Sequence, residues 1–189
     1  MFLYEKAQVN SPFELLVAII IMGFVIIIGS QMIASANSQV CLTGAERAMS
    51  EFKLNLEDTA TFRTSNKFDF KPVTNNCYNE NKSIMRIEIV KGNSKKCGAI
   101  CDRAVDSCFI MIFQTPDLSG GYKEKCLNLP VYTSFVSSGV DCPTTGGSLQ
   151  GYNAIDPTSA EIILSGTYVL RNVAAAGKTY PEICTYWKR

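Results

Sequence analysis

From Leu15 to Gly29 the chain reads LLVAIIIMGFVIIIG, an uncharged run entered directly after Glu14 and followed by no charge until Glu46. Continued to about Ala36, the uncharged segment is roughly 22 residues, or about 33 Å as a helix, which is enough to cross a bilayer. The run then changes character without a break. Ser30, Gln31, Ser35, Asn37, Ser38 and Gln39 dilute the apolar content, and no proline follows Pro12 until Pro72. Beyond Cys41 the apolar positions are Ala45, Ala48, Met49, Phe52, Leu56 and Ala60, spaced three or four apart as on one helix face. Glu46, Arg47, Glu51, Lys53, Glu57 and Asp58 lie largely off that face. The pattern predicts one long helix from about Ser11 to Phe62, apolar all round in its first half and amphipathic in its second. Pro12 suits the first turn. Gly23 and Gly29 soften the middle, and Gly44 marks a candidate bend or short break.

From about Thr64 onward short apolar runs alternate with turn clusters, the pattern of an antiparallel sheet. Met85, Ile87 and Ile89 alternate with Arg86 and Glu88, predicting a half-buried strand over residues 84–90. Residues 108–113 (CFIMIF) are apolar on both faces and predict a central strand. Residues 131–136, 161–170 and 183–187 are further strand candidates. Residues 116–121 predict a turn. The Gly-, Thr- and Pro-rich segment 141–158 predicts a long exposed loop tethered by Cys142. No repeat or linker divides this region. The expected fold is α+β: a long N-terminal helix, apolar then amphipathic, followed by a disulfide-rich antiparallel β head.

Composition narrows the chemistry. Lysines and arginines number 18 against 17 acids, mixed along the sequence, which is not the footprint of a nucleic-acid binder. Histidine is absent, which removes histidine bases, triads and histidine-containing zinc sites. Eight cysteines are present: Cys41, Cys77, Cys97, Cys101, Cys108, Cys126, Cys142 and Cys184. An even number behind a membrane-targeting segment reads as a disulfide framework in an oxidising compartment, with connectivity left open. A thiolate metal site is the competing reading, but CxxC pairs are missing and Cys97–Cys101 is only CxxxC. No metal or cofactor is expected.

No catalytic constellation emerges. Asp102, Asp106, Asp117 and Asp156 are isolated acids that read as solvated turn residues. Ser165-Gly166 lies in a strand pattern without the setting of a nucleophile elbow. Glycines 120–121 and 146–147 lack the strand–loop–helix context of a phosphate cradle. Tyr132, Tyr152, Tyr180, Tyr186 and Trp187 are candidates for a contact surface or for the core. Asn81-Lys82-Ser83 is a possible glycosylation sequon at Asn81. An enzyme is not expected.

The string Glu14-Leu15-Leu16-Val17, followed by Ile19, Ile21 and Gly23, resembles the N-terminal helix of type IV pilins and pilin-like proteins. Lys6-Ala7-Gln8 resembles the processing site of the archaeal class III signal peptide type. The resemblance covers about the first 60 residues. It implies a leader over residues 1–7, cut between Ala7 and Gln8 by a membrane prepilin peptidase, a membrane and assembly helix over 8–62, and an extracellular head over 63–189. It further implies a membrane-inserted precursor that joins other pilin subunits, through an assembly machinery, into a cell-surface filament. Glu14 would match the family's acidic residue, which aligns an incoming subunit by pairing with a neighbour's N-terminal amine. Counted from Gln8, Glu14 is the seventh position, whereas the family places its glutamate fifth; a start at Asn10, after Val9, restores that spacing.

Two other readings of the same segment stay open. One is a secretory signal with Ala34-Ser35-Ala36 as its cleavage site before Asn37. The other is an uncut single-span anchor. Under either, the head is a secreted or anchored disulfide-rich binding domain.

Overall fold

One helix carries both hydrophobic patterns. In chain order the elements are α1 (Ser11–Phe62), β1 (Ser65–Phe70), β2 (Arg86–Asn93), α2 (Ser94–Cys101), β3 (Ser107–Gln114), β4 (Lys123–Leu127), β5 (Ser134–Phe135), β6 (Asn153–Ile155), β7 (Gly166–Asn172) and β8 (Glu182–Lys188). The computed structural model describes residues 11–71, 86–102, 105–114, 122–136, 142, 149–158, 166–174 and 177–188, without the side chains of Ser11, Ser38, Cys41, Arg86 and Gln114. The chain divides into two compact units, Met1–Val40 and Cys41–Arg189. The helical residues from Cys41 to Phe62 therefore count with the sheets.

The α1 helix runs through Gly44 without a break. Its end is set at Arg63, whose φ of 53° is left-handed, a conformation that stops helices. The Arg63 guanidinium donates to the Lys178 carbonyl oxygen at 2.6 Å, which holds this uncommon backbone in place.

In the second unit, two sheets cover the apolar stripe of α1. The first has the order β1-β7-β8-β5, with β6 also on β8; the second has the order β2-β3-β4. All pairings are antiparallel except β5 with β8, where Ser134 sits opposite Glu182 in a parallel register. Both β5 and β6 use the edge of β8 that β7 leaves free, β5 at residues 182–183 and β6 at 185–187. Ala45, Ala48, Met49, Phe52, Leu56 and Ala60 are all buried, as their spacing predicted, together with Thr59. They form one core with Phe68 and Phe70 of β1, Ile87 and Ile89 of β2, Met111 and Phe113 of β3, and Tyr168 and Leu170 of β7. Each fully buried large side chain contributes about 1.5–3 kcal/mol. A smaller cluster lies elsewhere, where Val169, Cys184 and Tyr186 meet Cys142 and Leu149. Strand periodicity separates the two: Tyr168 and Leu170 point one way, Val169 the other.

Three disulfides are described: Cys97–Cys108, Cys101–Cys126 and Cys142–Cys184. The first two fasten α2 to β3 and to β4. The third ties Cys142 to β8, the tether expected there. Gly92 lies against the first bridge, since a Cβ there would stand 3.2 Å from Cys108 Sγ and 3.3 Å from Cys97 Sγ. Cys77 and the side chain of Cys41 lie outside the described residues.

Other sequence expectations fare unevenly. The 84–90 strand is found as β2, with residues 84 and 85 outside the described residues, and its Ile87 and Ile89 are buried. Residues 108–113 form the middle strand β3. The 183–187 candidate is β8. The 161–170 candidate is β7, starting at Gly166, with 161–165 outside the described residues. Residues 131–136 yield only the two-residue β5, because residues 131 and 132 turn instead, with Thr133 N donating to the Pro130 carbonyl at 2.9 Å. Of the expected 141–158 loop, residues 141 and 143–148 lie outside the described residues, and 149–158 contain β6, drawn into the sheet by its register with β8. The 116–121 turn lies outside the described residues.

Candidate assembly surface

In the first unit, every large apolar residue from Phe13 to Ile33 is exposed, on all sides of the helix; Phe24 and Ile26 are 63% and 68% accessible. Contiguous exposed apolar surface on this scale marks a membrane or protein contact site. The helix is long and apolar enough to cross a membrane. With the disulfides, this makes the chain a membrane-anchored or secreted protein. Glu14 lies in the first turn of α1, where a negative charge is favoured by the helix dipole. It is exposed, and no ion pair or hydrogen bond involves it among the described residues. Ala7 and Gln8 lie outside the described residues.

In the second unit, α1 is also gripped by polar contacts from β4, β1 and the residues just past β4. Glu46 pairs with Lys123 of β4. Lys125 Nζ, on the same side of β4, donates to Ser50 Oγ at 2.8 Å and to the Glu46 carbonyl at 3.5 Å. Burial, with Lys53 and Lys123 nearby, lowers the Lys125 amine below its ordinary value. Glu57 accepts the Asn128 N–H at 2.5 Å just past β4. Asn66 of β1 donates to the Asn55 carbonyl at 3.1 Å. The charged pattern KEKCL of β4 thus faces the polar flank of α1 on one side. Its one signal in sequence is the Lys–Glu–Lys alternation, which a strand turns into two cations on one face.

The candidate chemical residues do not converge. Asp102 is the left-handed C-cap of α2, and Asp156 accepts from Thr158 N and Oγ1 in a local turn. Asp117, Ser165, glycines 120–121 and 146–147, and Asn81 lie outside the described residues. Among the described residues no group of acids and cysteines is arranged to hold a metal ion. The aromatic candidates split. Tyr186 is buried, Trp187 packs against the core, and Tyr132 is 76% exposed. Burial raises the phenol pKa values of Tyr168 and Tyr186. The surface with the largest unmet physical demand is the apolar half of α1.

No protein-family model matches this chain, and neither a curated protein nor a solved structure matches it.

Proposed function

We propose that the chain is a pilin-like structural subunit of an extracellular filament, inserted in the membrane before assembly. One observation carries the reading: a helix apolar and exposed on all sides over residues 13–33 continues into the core of a disulfide-bonded β head. In lipid the apolar half has little to gain from its neighbours, so extraction into a filament needs an assembly motor. Once subunits stand in water, burying those helices against one another contributes roughly 25 cal/mol per Å². Glu14 then meets a neighbour's N-terminal amine, which neutralises a carboxylate that would be costly inside a bundle. The Ala7–Gln8 cut supplies that amine, and the heads coat the outside.

The test has two parts. The N-terminal mass of the mature protein is expected to correspond to Gln8, or to Asn10 in the alternative register. A start at Asn37 makes it an ordinary secreted protein, and retention of Met1 makes it an anchored binding domain. In cells, Glu14→Gln is expected to leave membrane insertion intact and to reduce filament yield. Normal filaments from that variant would overturn the assigned role of Glu14.

A further inference from the structure

Six of the eight cysteines are joined within the chain, and Cys41 and Cys77 are the two left over. Cys41 belongs to α1 and is the first residue of the second unit. Cys77 falls between β1 and β2, seven residues after Phe70 and ten before Ile87. β1 runs back along α1: Asn66 Nδ2 donates to the Asn55 carbonyl oxygen, and the Phe70 ring stands 5.9 Å from that of Phe52. Cys41 precedes Phe52 by eleven residues, which is about 16 Å of helix. Seven residues of chain past Phe70 span up to about 23 Å, so the distance is within reach. The start of β2 lies beside the same stretch of α1. Ile87 is opposite Phe113 of β3, Phe113 is opposite Lys123 of β4, and Lys123 pairs with Glu46, five residues past Cys41. Ile87 is thus two strand spacings, about 10 Å, from the strand that meets Glu46. Ten residues span up to about 33 Å, so this flank also lets Cys77 come to Cys41.

We infer that Cys41 and Cys77 form a fourth disulfide within one chain. A compartment that oxidises the other six cysteines acts on these two as well. Two thiols tethered within reach of each other meet at an effective concentration on the order of millimolar, above that of a second copy, which favours pairing within the chain. Forming the bridge takes one hydrogen from each thiol. The two protons and two electrons pass by thiol–disulfide exchange to an oxidised dithiol carrier, whose own disulfide becomes two thiols. The bridge fastens the connection between β1 and β2 to α1 at the start of the second unit. The loop that it closes holds Ala45 to Phe70, a part of the core that none of the three described disulfides spans. The inference does not depend on the filament reading, because both cysteines belong to the second unit.

The test uses the full chain in detergent, its free thiols alkylated before denaturation. Non-reducing electrophoresis is expected to show a monomer. Mass spectrometry of the unreduced tryptic digest of that monomer is expected to find the peptide ending at Arg47 joined to the peptide that holds Cys77. Treatment with dithiothreitol abolishes the joined species and releases both peptides. Alkyl groups on Cys41 or Cys77 in the unreduced chain would overturn the inference, as would either cysteine joined to one of the other six. A link found only in a dimer that reduction converts to monomer would overturn it too, and would make the bridge one between copies. Cys41→Ser supplies a second readout: one new alkylated thiol is expected, at Cys77, with the other three bridges unchanged. A new thiol at any other cysteine in that variant would show that Cys41 has a different partner.

Discussion

Phe52→Ala, set beside Leu54→Ala, separates the two faces of the amphipathic half of α1 by their energetics. The Phe52 ring is fully buried and meets Phe68, Phe70 and Tyr168 edge-on, at centroid distances of 5.7, 5.9 and 6.0 Å. Truncating a buried phenylalanine costs about 3–5 kcal/mol, and three aromatic partners place this one near the upper end. The unit from Cys41 to Arg189 has 149 residues, which implies a total stability of roughly 7–22 kcal/mol. The variant thus removes a large share of it. Leu54, two residues on, points outward, and Leu54→Ala is expected to stay within about 0.5 kcal/mol of the parent. Urea unfolding of the full chain in mild detergent, disulfides intact, is followed by the fluorescence of Trp187, the one tryptophan. With a slope of about 2 kcal/mol per molar, Phe52→Ala lowers the midpoint by about 2 M. A shift below about 0.5 M, or an equal shift for Leu54→Ala, would refute the assignment of this helix face to the core.

Removal of residues 1–40 is expected to leave a cooperatively melting head by circular dichroism, whereas removal of 1–62 abolishes it, since Ala45 through Ala60 are core. At Gly166 a Cβ would collide with the Lys188 carbonyl oxygen and stand 2.5 Å from Trp187 Nε1, so Gly166→Ala is expected to cost about 1–3 kcal/mol in the same urea assay. Folding raises the phenol pKa values of Tyr168 and Tyr186 above the ordinary 10.0. The native chain then holds protons that the unfolded chain releases, so stability is intact below pH 10 and falls as pH rises beyond it. Tyr168→Phe is expected to flatten that decline in urea titrations at stepped pH. Cys142–Cys184 spans 42 residues, so replacing both with serine is expected to cost about 4 kcal/mol, against about 3 for Cys97–Cys108, which spans 11. Calorimetric melting of the two double variants ranks them.

The elements read correctly from sequence are those whose burial follows a local period. The α1 stripe and the apolar middle strand β3 needed no knowledge of their partners. β1 carries only a faint period in sequence, Phe68 and Phe70 alternating with Lys67 and Asp69. Two apolar positions are too few to stand out, and their burial comes from Phe52, sixteen residues away from Phe68. β4 does not stand out in the sequence, because its lysines look like loop residues until Glu46 and Ser50 meet them. α2 is hidden for a related reason. Its one buried residue is Cys97, and two disulfides to β3 and β4 hold it where little hydrophobic area is available. The short β5 and β6 exist because β8 has an open edge for them, a fact no local window contains.

For the site the division is similar. Sequence alone determined the apolar run, the place of Glu14 at its mouth and the presence of an even set of cysteines, because hydrophobic length, charge and composition are properties of the chain itself. Only the tertiary structure decided three of the cysteine pairings and the second sheet over the amphipathic half. Those depend on which surfaces meet, and meeting is fixed by the sum of packing between segments far apart in sequence.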